Sequence, residues 1–91
     1  MIVRISGEGQ YRLADDVIDQ VNQLDAALEG ALGGTEQEFR TALSALLSRV
    51  RADGQLLDDE ELLESDVILP GEDASADDVR GMLTDEGLLP G

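Results

Sequence analysis

The order of apolar and polar positions divides this chain into short structural units. Within residues 1–13, Val3, Ile5, Tyr11 and Leu13 alternate with Arg4, Gln10 and Arg12, the period of two that marks strands. Flanking Gly7-Glu8-Gly9, the two runs predict a β-hairpin with a three-residue loop in which Gly9 takes the left-handed conformation. This loop pairs Ile5 with Tyr11 and Val3 with Leu13. One face then carries Val3, Ile5, Tyr11 and Leu13, and the other Ile2, Arg4, Gln10 and Arg12. A two-residue loop at Glu8-Gly9 would set Ile5 against Arg12 and mix the faces, so it is rejected. A lone hairpin is marginal in water, and its apolar face needs a cover.

The period then changes to that of a helix. Val17, Val21, Leu24, Leu28 and Leu32 recur at helical spacing and Ile18 widens the stripe, while Asp19, Gln20, Asn22, Gln23 and Asp25 are expected on the other side. The predicted helix covers residues 16–32. Ala14-Asp15-Asp16 supplies its cap and first-turn negative charge, and Gly33-Gly34 stops it. Thr35, followed three residues on by Glu38, reads as a capping box, and Phe39, Leu43, Leu46, Leu47 and Val50 form the next stripe as far as Asp53-Gly54. So short a link predicts an antiparallel helical hairpin.

Residues 55–65 show no clear period. Leu56-Leu57 and Leu62-Leu63 flank Asp58-Asp59-Glu60-Glu61, which reads either as one helical turn or as a solvated loop. Asp66-Val67-Ile68-Leu69-Pro70 reads as a short strand closed by Pro70-Gly71 and is expected to join the hairpin in a three-stranded sheet. Ser75 caps a third helix, with Asp78 at the capping-box position and Val79, Met82 and Leu83 as its buried side. Gly87 ends it, and Leu88-Leu89 are expected to return to the core. The expected fold is α+β: an N-terminal β-hairpin and a short third strand packed against an antiparallel helical hairpin, with a short C-terminal helix. Residues 1–91 form a single domain of this kind.

Charge narrows the function. The chain has 21 acidic residues against six arginines and no lysine, for a net charge of −15. Nucleic acid and anionic membrane are repelled, and a basic partner protein or solubility at high salt fits better. Cysteine and histidine are absent, which removes disulfides, the usual zinc ligands, the thiol nucleophile and the commonest general base. With no signal-peptide pattern and no apolar run of membrane-spanning length, the expected location is the cytoplasm, without direct membrane insertion.

In the expected register Arg4 stands directly opposite Arg12. Such a like-charge pair is destabilising by up to about 1 kcal/mol. Something negative belongs over it: the chain's own Asp66 or Glu64, or an acidic partner surface. Ile2, Arg4 and Arg12 are therefore the candidate partner-binding residues.

Motifs for chemistry are lacking. Asp73, Ser75 and Asp77 match the first ligand positions of a calcium loop, but Asp78 stands where glycine is required and Thr84 where a bidentate glutamate is required. The run at Asp58-Asp59-Glu60-Glu61 reads as a solvated face. Gly7-Glu8-Gly9 lacks the lysine and helix of a phosphate cradle, and no serine stands in a nucleophile elbow or in the Asp-Ser-Leu of carrier proteins. No catalytic, cofactor-binding or metal-binding residue is assigned. An acidic domain that senses a ligand or metal ion stays open as the alternative to an interaction module.

Four stretches together resemble the PspA-associated proteins, PspAA. They are the opening Met-Ile-Val-Arg-Ile-Ser-Gly-Glu-Gly-Gln-Tyr-Arg-Leu, Phe39-Arg40 with the Ala-Leu-Leu-rich second helix, Ser65-Asp66-Val67-Ile68-Leu69-Pro70, and Glu86-Gly87-Leu88-Leu89-Pro90-Gly91. The first and last are the distinctive ones. The resemblance implies a small non-enzymatic partner of PspA, a coiled-coil, ESCRT-III-like protein of the envelope stress response. It also implies recruitment to the inner face of the membrane through that partner. It carries no catalytic residues and does not say which surface is used.

Overall fold

The computed structural model describes residues 1–58 and 64–82. Strands β1 (Ile2–Ile5) and β2 (Gly9–Arg12) form the hairpin, and a 3-10 turn (Asp15–Val17) leads into helix α1 (Ile18–Ala31). Helix α2 (Glu36–Asp53), strands β3 (Gln55–Leu56) and β4 (Val67–Leu69), and helix α3 (Ala76–Met82) follow. The sheet has the order β3-β2-β1-β4. Its β1/β2 and β2/β3 pairs are antiparallel and β1/β4 is parallel. The architecture is α+β, as expected, but the sheet has four strands rather than three. The extra strand, Gln55–Leu56, is too short to show a period.

The hairpin register differs from the expected one by two residues. Ile5 pairs with Gly9, Arg4 with Gln10, Val3 with Tyr11 and Ile2 with Arg12. The loop is therefore Ser6-Gly7-Glu8, closed by the Glu8 N–H donating to the Ile5 carbonyl at 2.9 Å. Gly7, at φ +82°, takes the left-handed position in place of Gly9. It is the third residue of the turn, where a type II turn requires positive φ. Either glycine satisfies the sequence rule, and local chemistry does not choose between them. A two-residue slip keeps parity, so the face assignment survives: Val3, Ile5 and Leu13 are buried while Arg4 and Arg12 are exposed.

The helical hairpin covers the inner face. Val3, Ile5, Leu13, Val67 and Leu69 join Val21 and Leu28 of α1, Phe39, Leu43, Leu46, Leu47 and Val50 of α2, and Val79 of α3 in one core. The stripe read for α2 is buried at every position. In α1 the stripe is wider than expected. Asp25, assigned to the polar side, is 4% exposed, because it lies four residues after Val21 and three before Leu28, on the same face. Among the described residues no buried side-chain nitrogen or oxygen lacks a hydrogen-bond partner.

Capping follows the sequence at two helices and not at the third. The Thr35 hydroxyl accepts from the Glu38 N–H at 3.1 Å. Ser75 and Asp78 make both halves of their box, each side chain accepting from the other's N–H at 3.1 Å. No side chain caps the 3-10 turn or α1. Asp15 and Asp16 fall inside the first turn, where they act only through the helix dipole. Gly54 is required by proximity. A Cβ there would stand 2.5 Å from the Val50 carbonyl oxygen and 3.0 Å from the Tyr11 Cβ, so glycine lets the end of α2 lie against β2. The expectations for Asp59, Glu60, Glu61, Leu62, Leu63, Leu83, Thr84 and Gly87, and for the return of Leu88-Leu89, fall outside the described residues.

Candidate interaction surface

The inner face of the sheet is covered; the outer face carries the predicted residues. Ile2 is half-buried there, and Arg4 and Arg12 are exposed. The observed register corrects their relation. Arg4 faces Gln10 and Arg12 faces Ile2, so the arginines are diagonal neighbours rather than a directly opposed pair. The repulsion between them is correspondingly weaker. Parallel pairing places Ile68 of β4 beside Arg4, and Gln55 of β3 lies beside Arg12.

Neither Asp66 nor Glu64 forms an ion pair with these arginines. The Asp66 carboxylate accepts the Ile2 backbone N–H at 2.8 Å, and the Asp66 N–H donates to the Ile2 carbonyl at 2.8 Å. Both bonds fix the start of β4 against β1. Gln10, 8% exposed, donates through Nε2 to the Ser65 hydroxyl at 2.8 Å.

The remaining arginines are all engaged. Arg51 of α2 forks onto Glu8 of the hairpin loop and reaches Glu72 at 2.8 Å. Tyr11 completes the group, its hydroxyl donating to Glu8 at 3.1 Å. The Arg51 hydrogen bonds hold the Glu8 carboxyl below the usual carboxylate value. Burial, and then the bond to Glu8, push the Tyr11 phenol up. Hydrogen bonds to Glu8 and then to Glu72 raise the already high Arg51 further. Arg40 pairs with Glu36 at 3.0 Å and donates to the Glu72 carbonyl at 2.7 Å. Arg80 pairs with Asp77 at 2.9 Å and donates to the Leu32 carbonyl at 2.6 Å, where a cation complements the C-terminal end of α1. Arg49 pairs with Asp53 at 3.3 Å. Among the described residues, Arg4 and Arg12 alone of the six arginines make no ion pair. The Arg51 group was not legible in the sequence, because its partners lie 43 and 21 residues away.

Among the described residues there is no group of three or more side chains placed to hold a metal ion. Of the calcium-loop residues, Ser75 is occupied in capping α3. No described helix is long and apolar enough to cross a membrane.

These features define a small acidic α+β domain in which four arginines are ion-paired and two, Arg4 and Arg12, stand exposed on the outer sheet face with no ion pair among the described residues. The chain belongs to the PspA-associated protein family, PspAA, whose family model matches residues 1–91, the whole chain. No curated protein and no solved structure matches it.

Proposed function

We propose that this domain is a non-enzymatic interaction module that binds a PspA-like coiled-coil protein and acts as its adaptor or regulator in envelope stress. In this reading it works in the cytoplasm and reaches the membrane through that partner. Ile2, Arg4 and Arg12 on the outer face of the hairpin form the contact. The observation that carries the surface assignment is the division among the arginines: four are ion-paired, and the two that make no ion pair among the described residues share one exposed face.

The test is co-purification with the PspA-like protein of the same organism, using the wild type and the double variant Arg4→Gln with Arg12→Gln. The variant is expected to lose binding while its melting temperature stays close to that of the wild type, since exposed charges contribute about 0–1 kcal/mol to folding. Full binding by the variant ends the surface assignment. Failure of the wild type to bind ends the adaptor reading. A saturable micromolar response to calcium would favour ion sensing instead.

A further inference from the structure

The exposed outer face of the sheet extends beyond the hairpin to β4. In β4, Val67 and Leu69 are buried in the core while Ile68 points the other way and is 55% exposed. The register lines up Gln10, Arg4 and Ile68 in one row across the strands and Gln55, Arg12 and Ile2 in the next; Gln10 is buried against Ser65, so the exposed part of the face runs from Gln55 and Arg12 to Arg4 and Ile68. A single exposed isoleucine is ordinary. Here it adjoins an exposed arginine that has no ion pair among the described residues, with a second such arginine on the diagonal.

We propose that this face docks an amphipathic helix of a partner protein, carrying carboxylates one turn apart beside an apolar residue. The proposal rests on the reading that the domain is an interaction module for a PspA-like protein, and it specifies the part of the partner that is bound.

Three arguments select this occupant. First, charge excludes others. A second copy seated on the same face would set arginines against arginines between two molecules each of charge −15. Anionic lipid surfaces and nucleic acid are extended arrays of negative charge that meet the field of the whole domain, of charge −15, and not the arginine pair alone. A local pair of carboxylates meets two guanidinium groups at short range, where the pairing outweighs a screened long-range field. Second, spacing fits. Diagonal neighbours on a sheet lie about 7–8 Å apart. Helix positions i and i+4 lie about 5–6 Å apart, and long arginine stems close the difference. Third, backbone satisfaction selects a helix over an extended peptide. A strand laid over the central strands β1 and β2, which carry Arg4 and Arg12, leaves its N–H and C=O groups unpaired. A helix bonds its own.

The experiment measures binding of the PspA-like protein, and of overlapping synthetic peptides that cover its sequence, to the full chain. Variants are Arg4→Glu with Arg12→Glu, and Ile68→Thr, which keeps strand propensity; melts of each confirm folding. Each is expected to weaken binding about tenfold or more. The peptide bound by the wild type is expected to be acidic and to gain helical circular dichroism on binding. Replacing its carboxylates by lysine should restore affinity for the Arg4→Glu, Arg12→Glu variant.

If the wild type binds the PspA-like protein and both variants bind it equally well, this inference is overturned and the adaptor reading stands. A bound peptide that is basic or stays non-helical also overturns the inference. So does arginine-dependent pelleting of the wild type with phosphatidylglycerol vesicles. A wild type that binds no PspA-like protein overturns both.

Discussion

Arg51 is the joint through which α2 holds the hairpin loop, and Arg51→Gln is expected to loosen it measurably. The guanidinium makes a two-point fork on Glu8, whose carboxylate also accepts from Tyr11. It sends a third bond to Glu72. The two arms are unequal. The Glu72 side chain is 57% exposed against 34% for Glu8, so solvent screening reduces its arm to a few tenths of a kcal/mol. The fork on Glu8 has the better geometry and contributes about 1 kcal/mol. The substitution is therefore expected to destabilise by about 1–2 kcal/mol, and each kcal/mol lowers the melting temperature by about 4–8 °C in a domain of this size. Because Arg51 depresses the Glu8 carboxyl, this stabilisation is complete above the unfolded glutamate value of about 4.3. It is lost as pH falls through the lower folded value. Thermal or urea melts at pH 7, 5 and 3 check it. The gap between wild type and Arg51→Gln should be equal at pH 7 and 5 and shrink at pH 3. A double-mutant cycle with Glu8→Gln should show coupling at pH 7. A gap that is as wide at pH 3 as at pH 7, or a coupling under about 0.3 kcal/mol, would refute the reasoning.

Leu43→Ala and Leu46→Ala are each expected to destabilise by about 2–5 kcal/mol, since both leucines are almost wholly buried in the core; losses under about 1 kcal/mol in urea melts would contradict the packing described. Gly54→Ala should destabilise by about 1–3 kcal/mol, because its methyl meets the Val50 carbonyl and Tyr11; an unchanged melting temperature would show that α2 and β2 separate easily. Added sodium chloride should raise the melting temperature of the wild type, since about 1 M salt shortens the Debye length to about 3 Å and screens self-repulsion at net charge −15. A flat or falling temperature would count against that.

The parts of the fold legible in the sequence were those with a period. The α2 stripe was readable because five apolar residues at helical spacing leave one face to bury. The hairpin faces were readable for a subtler reason. Their assignment depends only on parity, so it survived a misplaced loop, while the pairing of Arg4 with Arg12 depended on the loop itself and did not. Two glycines separated by one residue offered two turns of equal local merit. The choice was made by packing that no local rule sees, including the reach of Glu8 to Arg51. Asp25 shows the converse limit: its polarity placed it outside, while its phase within α1 places it inside. The candidate surface was half legible. Ile2, Arg4 and Arg12 followed from alternation, but Ile68 joins them only through parallel pairing between strands 64 residues apart.

The distribution of arginines predicts a division between folding and binding. Arg40, Arg51 and Arg80 each bridge separate segments: α2 to Glu72, α2 to the hairpin loop, and α3 to the end of α1. Their replacement should therefore register as lost stability. Arg4 and Arg12 bridge nothing among the described residues and stand on the face opposite the core. Their replacement should leave stability nearly intact and remove partner binding. The two classes make each other's controls: a binding defect in Arg51→Gln that vanishes at a temperature where the variant is fully folded belongs to folding. A defect in the Arg4, Arg12 pair that persists there belongs to the surface.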